Sequence, residues 1–251
     1  MTFNRRALIK GALAAPLFLG SASAAAKQAF SGKGDWTQWF HDWMLKDFGM
    51  IGYYADDNAK LLASHAPVDV VFLGDSITEG WFDKHPSYFV NGRVDRGIGG
   101  QTSSQMVLRM MSDVVDLKPK VVHIMAGTND VAGNTGAATL AFVQGNIESM
   151  AELARLHGIK VILASIPPAA AFPWSPAMRP AEPIIAFNAW LRAYAARNGF
   201  TYLDYHAALA DAQGGMKPGL ATDGVHPTPE GYAIMRPLAL AAIARTLGHG
   251  R

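Results

Sequence analysis

Val70-Val71-Phe72-Leu73-Gly74-Asp75-Ser76-Ile77-Thr78-Glu79-Gly80-Trp81 is an apolar run that stops in a Gly-Asp-Ser turn. A short run rich in Val, bounded by Gly, Asp and Ser, predicts a buried strand entering a turn. Ser76 then stands just past the carboxyl end of a strand, where open α/β sheets bind their ligands. A serine there is a candidate nucleophile if the chain also supplies a base and donors for an oxyanion. It is equally a candidate cap for the next helix.

Downstream, strand and helix patterns alternate. Further strands are expected near residues 94–98 and at 121–126, 161–166 and 201–205. Residues 103–117 place Met106, Val107, Met110, Val114 and Leu117 on one face of a predicted helix. A second helix, 139–156, stops at Gly158, and a third, 184–198, carries Ile184, Phe187, Leu191 and Tyr194 in one stripe. Thr228-Pro229-Glu230 opens the last helix, with Thr as the cap and Pro at the first helical position. This alternation predicts an α/β chain, three layers α/β/α around a central parallel sheet. The proline-rich stretch 167–183, with Trp174, follows a strand and is expected on the ligand side of the sheet.

Upstream, Trp36, Trp39, Phe40, Trp43, Met44, Phe48, Tyr53 and Tyr54 recur at roughly helical spacing and predict a helix laid over the sheet. A short helix from Ala55 is expected to end at His65-Ala66-Pro67, because a residue before proline disfavours helical geometry. Asn4-Arg5-Arg6-Ala7-Leu8-Ile9-Lys10, a short apolar run and small-residue cleavage sites around Ala24 read as a signal peptide with a twin-arginine-like start. The apolar run is too short for a bilayer-spanning helix. The expected organisation is a signal peptide at 1–26, an N-terminal helical segment at 27–67 and one α/β domain at 68–251, with the product periplasmic or secreted and without a stable membrane anchor.

Composition narrows the partners. The 251 residues are half hydrophobic and carry a formal charge of +2; setting aside Arg5, Arg6 and Lys10 leaves about −1. No basic patch points to nucleic acid. There is no cysteine, which excludes disulfides, thiolate metal sites and a lipid-modified cysteine within these residues.

The base candidate is His226 in Thr222-Asp223-Gly224-Val225-His226-Pro227. Pro227 biases His226 towards an extended conformation, and Asp223 can fold back onto the imidazole. By itself this segment reads equally as a turn before a helix. Two other strand ends offer donors: the side-chain amide of Asn129 in Gly127-Thr128-Asn129-Asp130, and a backbone N–H of the Ile98-Gly99-Gly100-Gln101 turn. Each has an ordinary reading as a turn.

Taken together, Gly74-Asp75-Ser76, Gly97-Ile98-Gly99-Gly100, Gly127-Thr128-Asn129-Asp130 and Asp223-Gly224-Val225-His226-Pro227 resemble, in order and spacing, the blocks of the SGNH (GDSL) hydrolases. The resemblance runs over residues 68–247 and looks closest to the platelet-activating-factor acetylhydrolase-like branch. It implies a flavodoxin-like SGNH hydrolase fold, Ser76 as nucleophile, His226 as base and Asp223 as its orienting carboxylate. It also implies an oxyanion hole from the backbone N–H groups of Ser76 and Gly100 and the side chain of Asn129. Gln101 departs from the aspartate often found there, which leaves the hydrogen bonding of that loop open. The implied activity is a serine esterase for short acyl esters, acetyl foremost, on small molecules or saccharides, needing no metal or cofactor. A lysophospholipase or thioesterase of the same fold, a flavodoxin-like nucleotide binder and a non-catalytic carbohydrate-binding protein are the alternatives. Oligomeric state is not readable from the chain.

Overall fold

A computed structural model describes residues 35–248; the segment read as a signal peptide lies outside the described residues. The first elements are α1 (Trp36–Lys46) and α2 (Ala55–Ser64). Then come β1 (Val70–Gly74), α3 (Ser76–Lys84), β2 (Arg93–Gly97), α4 (Ser103–Leu108) and β3 (Val121–Met125). The chain continues through α5 (Thr128–Ala132), α6 (Leu140–Leu156), β4 (Lys160–Ala164), α7 (Ala181–Asn198), β5 (Thr201–Leu203), α8 (Tyr205–Leu209) and α9 (Pro229–Leu247).

The five strands form one sheet in the order β2-β1-β3-β4-β5, every pair parallel. All residues of β1 and β3 are buried, as expected of central strands covered on both faces. α3 packs on β1 and β2, and α9 on β3, β4 and β5. α6 packs on β4, α4 and α7. Phe72, Trp81, Tyr88, His123, Tyr205 and Tyr232 form a linked set of aromatic rings under the sheet. Trp81 is therefore core, 1% exposed. The polar loops after β1, β2 and β3 gather at the carboxyl end of the sheet, as the parallel order requires.

Three sequence expectations shift. The helix expected at 103–117 is interrupted: α4 ends at Leu108 and a π-helical turn follows at Met111–Val115. At the break sit Arg109 and Asp113, a buried ion pair at 3.0 Å facing inward, which an apolar periodicity does not register. The aromatic stripe is helical only over Trp36–Lys46, and it meets the sheet only at its β2 edge, through Tyr54. Phe40, Met50, Tyr53 and Tyr54 close instead on Ile98, as a separate small core just past β2. Pro183 belongs to the first turn of α7, leaving the irregular proline-rich stretch to end at Pro180.

Candidate active site

Ser76 is the first residue of α3. Asp75, not Ser76, caps that helix: its carboxylate accepts the Ile77 N–H at 2.9 Å. Burial drives the Asp75 carboxyl up to about 6, against the Ile77 N–H and the nearby His226. Relieved of capping, the Ser76 hydroxyl lies 2.9 Å from His226 Nε2.

His226 comes from a loop organised by its own aspartate. Asp223 Oδ1 accepts the backbone N–H groups of Val225 (3.0 Å) and His226 (2.8 Å), and Oδ2 stands 2.7 Å from His226 Nδ1. Thr222 N–H donates to the His226 carbonyl at 3.0 Å, and Val225 is buried as the anchor of the loop. With Nδ1 donating to Asp223, Nε2 is left as an acceptor facing Ser76. Burial works to raise the Asp223 carboxyl, but hydrogen bonds from the His226 backbone and ring outweigh it and hold it below the usual carboxylate range. Hydroxyl, imidazole and carboxylate thus stand in line, the arrangement in which an imidazole can take a hydroxyl proton and the carboxylate can stabilise the imidazolium.

Gly100 and Asn129 come from the turns after β2 and β3. Gly100 has φ +78°, and an added Cβ would meet Phe40 and Trp36 at 2.8 Å, so the turn after β2 is seated directly on α1. Asn129, in α5, donates from Nδ2 to the Gln101 carbonyl at 3.0 Å. Its neighbour Asp130 accepts Ser103 N–H (2.8 Å) and Ser103 Oγ–H (2.6 Å), tying α5 to the start of α4. Gln101 settles the hydrogen bonding left open for its loop. Fully buried, it donates from Nε2 to the Gly49 carbonyl (3.1 Å) and accepts Arg109 Nε–H at Oε1 (2.6 Å), while Arg109 Nη2 donates to the Gly74 carbonyl (2.9 Å).

A pocket of about 240 Å³ opens over these groups, lined by Trp36, Ser76, Gly99, Gly100, Asn129, Asn134, Trp174 and His226. Trp174, on the proline-rich stretch, keeps 39% of its surface exposed and stands 5.7 Å, ring to ring, from His226. All five residues nominated from the sequence, Ser76, Gly100, Asn129, Asp223 and His226, are therefore within or beside one pocket. Two lining residues escaped that reading. Helical periodicity places Trp36 in a packed stripe but does not say which loop that helix covers. Asn134 lies in the polar turn Gly133-Asn134-Thr135-Gly136 that closes α5, and that turn chemistry was its available signal. Among the described residues there is no His/Cys/Asp/Glu cluster able to hold a metal ion.

The model of the GDSL-like lipase/acylhydrolase family matches residues 72–234. A crystal structure of a GDSL-like lipase from Bacteroides thetaiotaomicron VPI-5482 is 46% identical, covers 79% of this chain and 99% of its own, and superimposes with a TM-score of 0.75. A Bacillus subtilis (strain 168) protein named uncharacterized lipoprotein YqeF is 40% identical over 119 residues, 40% of this chain and 49% of that protein, so the chain spans about half the length of this relative. A catalytic mutant of an acetylxylan esterase from Geobacillus stearothermophilus, 22% identical over 70% of this chain and 94% of its own, shares the fold at a TM-score of 0.56. By the family match over most of its length and by its Bacteroides relative, the chain belongs to the GDSL-like lipase/acylhydrolase family and is a hydrolase acting on esters.

Proposed function

We propose that the chain is an exported serine esterase that removes short acyl groups, acetyl foremost, from alcohols of the saccharide type, through Ser76, His226 and Asp223. The observation that carries this reading is the continuous Ser76–His226–Asp223 alignment, at 2.9 Å and 2.7 Å, beside the small pocket. His226 Nε2 takes the Ser76 proton as Oγ attacks the ester carbonyl. The backbone N–H groups of Ser76 and Gly100 and the Asn129 amide receive the oxyanion. Protonated His226 gives its proton to the departing alcohol, then activates water to release the acid from the acyl-enzyme. Trp36 and Trp174 offer apolar ring faces to the alcohol portion, as sugar-binding surfaces do. The acetylxylan esterase of the same fold supports the saccharide class. The signal-like sequence 1–26 and the lipoprotein name of the Bacillus relative support export.

Ser76→Ala tests the nucleophile: esterase activity should fall by more than tenfold with stability within about 1 kcal/mol, because the hydroxyl contributes little packing. Retention of activity would sink the assignment. A second reading, a lipid-chain hydrolase, draws on an apolar cavity of about 250 Å³ lined by Val131, Leu140, Val143, Met178 and Phe187, which shares no residue with the Ser76 pocket. A p-nitrophenyl ester series separates the two. The short-acyl reading expects acetyl and butyryl esters to be cleaved at least about tenfold more efficiently than decanoyl, since methylenes without a groove gain none of their burial energy. An optimum at about eight carbons or beyond would favour the lipid-chain reading.

A further inference from the structure

Asn134 stands where three parts of the site meet. Its Nδ2 donates to the Gly100 carbonyl at 3.1 Å and to Asn129 Oδ1 at 3.0 Å, and its Oδ1 accepts the Trp174 indole N–H at 3.2 Å. Gly133, in the left-handed region, ends α5 after five residues and folds the chain back. Asn134 returns against Asn129 as a result, and its backbone N–H donates to the Asn129 carbonyl at 3.0 Å.

The consequence lies in the orientation of the Asn129 amide. A primary amide presents an acceptor at one end and two donors at the other. In the observed orientation Asn129 Oδ1 takes a hydrogen from Asn134, and Nδ2 gives one hydrogen to the Gln101 carbonyl. The other Asn129 N–H has only a long contact, 3.5 Å to Asp75 Oδ2, and is the one a ligand in the pocket would draw away. Turned over, the amide would set N–H against N–H at Asn134 and oxygen against oxygen at Gln101, and an oxygen would face the developing oxyanion. Donors stabilise a transition state only when they are already aimed at the charge.

We propose that Asn134 is a positioning residue of the oxyanion hole: it locks the Asn129 amide in its donating orientation and pins the Gly100 turn. The inference rests on the reading of Asn129 and Gly100 as oxyanion donors. It makes the acid variant worse than the truncated one. An aspartate at 134 would offer only acceptors to the Gly100 carbonyl and Asn129 Oδ1 and would favour the overturned amide, whereas alanine merely releases it.

The test is steady-state hydrolysis of p-nitrophenyl acetate by wild type, Asn129→Ala, Asn134→Ala, Asn134→Asp and the Asn129→Ala/Asn134→Ala pair, with thermal melts to check folding. Asn134→Ala should lower kcat by about tenfold or more with KM within about twofold. Asn134→Asp should be slower still. On the Asn129→Ala background, the loss from Asn134→Ala should shrink to about threefold or less, because two residues acting through one group are not additive. An equal loss on both backgrounds, or a raised KM with kcat held, would overturn the proposal. Should Asn134→Asp fail to fold, the Ala pair decides alone. If Asn129→Ala costs activity and Asn134→Ala does not, this inference alone fails. If Asn129→Ala is itself as active as wild type, the donor reading beneath it fails as well.

Discussion

On one side of the site the turn from Gly97 to Gln101 is held mostly by buried side chains, with Glu79 and Asn134 half-buried among them; on the other, His226 and Asp223 keep 30% and 34% of their side-chain surface exposed. The first side is wired from several directions. Glu79 accepts the Gly99 N–H at 2.8 Å and the Tyr53 hydroxyl at 2.5 Å, Tyr54 donates to the Gly97 carbonyl and to Asp95, and Gln101, Arg109 and Asp113 are fully buried beneath. The second side is a pair of loops, one organised by Asp223 and the other carrying Trp174. Stabilising a developing oxyanion needs donors that do not reorganise during the reaction. A group that shuttles protons, and a wall past which an alcohol leaves, need access to water. Burial therefore follows what each side has to do in the proposed chemistry.

Gly100→Ala strikes the buried side hardest. The new methyl meets Trp36 and Phe40 at 2.8 Å, and alanine is strained at φ +78°. Activity should fall about a hundredfold or more, with a loss of about 1–3 kcal/mol in stability by urea titration. A variant of near-normal activity would mean that the turn can shift off α1 without disturbing the site.

Asp95→Asn sharpens the comparison through pH. Burial, and then the charge of Glu79, push the Asp95 carboxyl up to about 8. Between the ordinary carboxylate range and that value the folded chain keeps a proton that the unfolded chain has lost. The wild type should therefore lose stability as pH rises through this window, by up to about 1.4 kcal/mol per pH unit. Replacing Asp95 by the neutral amide should flatten the slope measured from about pH 6 to about pH 8. Unchanged slopes would show that another group carries the proton.

Trp174→Ala should have the smallest effect. Its ring keeps 39% of its surface exposed, stacks on Phe172 and hydrogen-bonds Asn134, so stability should fall by about 1 kcal/mol. Esters of bulky or saccharide alcohols should show a KM raised several-fold relative to small-alcohol esters. Equal KM changes for both would remove Trp174 from alcohol recognition.

Much of this was legible in the chain. The strands announce themselves because β1 and β3 are buried on both faces and must be continuous apolar runs. Ser76, Gly100 and Asn129 are legible because each follows a strand end closely, where composition changes abruptly; Asp223 and His226 are legible from the polar turn that leads into α9. Hidden from the same reading was everything that depends on which turn meets which helix. The break at Arg109 is one example, since an inward-facing charged pair looks from periodicity like an exposed face. The aromatic stripe is another: its spacing describes a helix, but its target is a loop far along the chain.

The sequence by itself therefore determined the parallel α/β architecture, the family blocks and the identity of the groups that line the pocket from strand ends. Those properties are local, set by side-chain hydrophobicity, turn chemistry and spacing. The tertiary structure alone decided that α1 forms a wall over Gly100, that Gln101 and Arg109 brace the turn from below, and that Asn134 reaches back to Asn129 and across to Trp174. These are contacts between surfaces whose complementarity exists only once the sheet has brought the turns together.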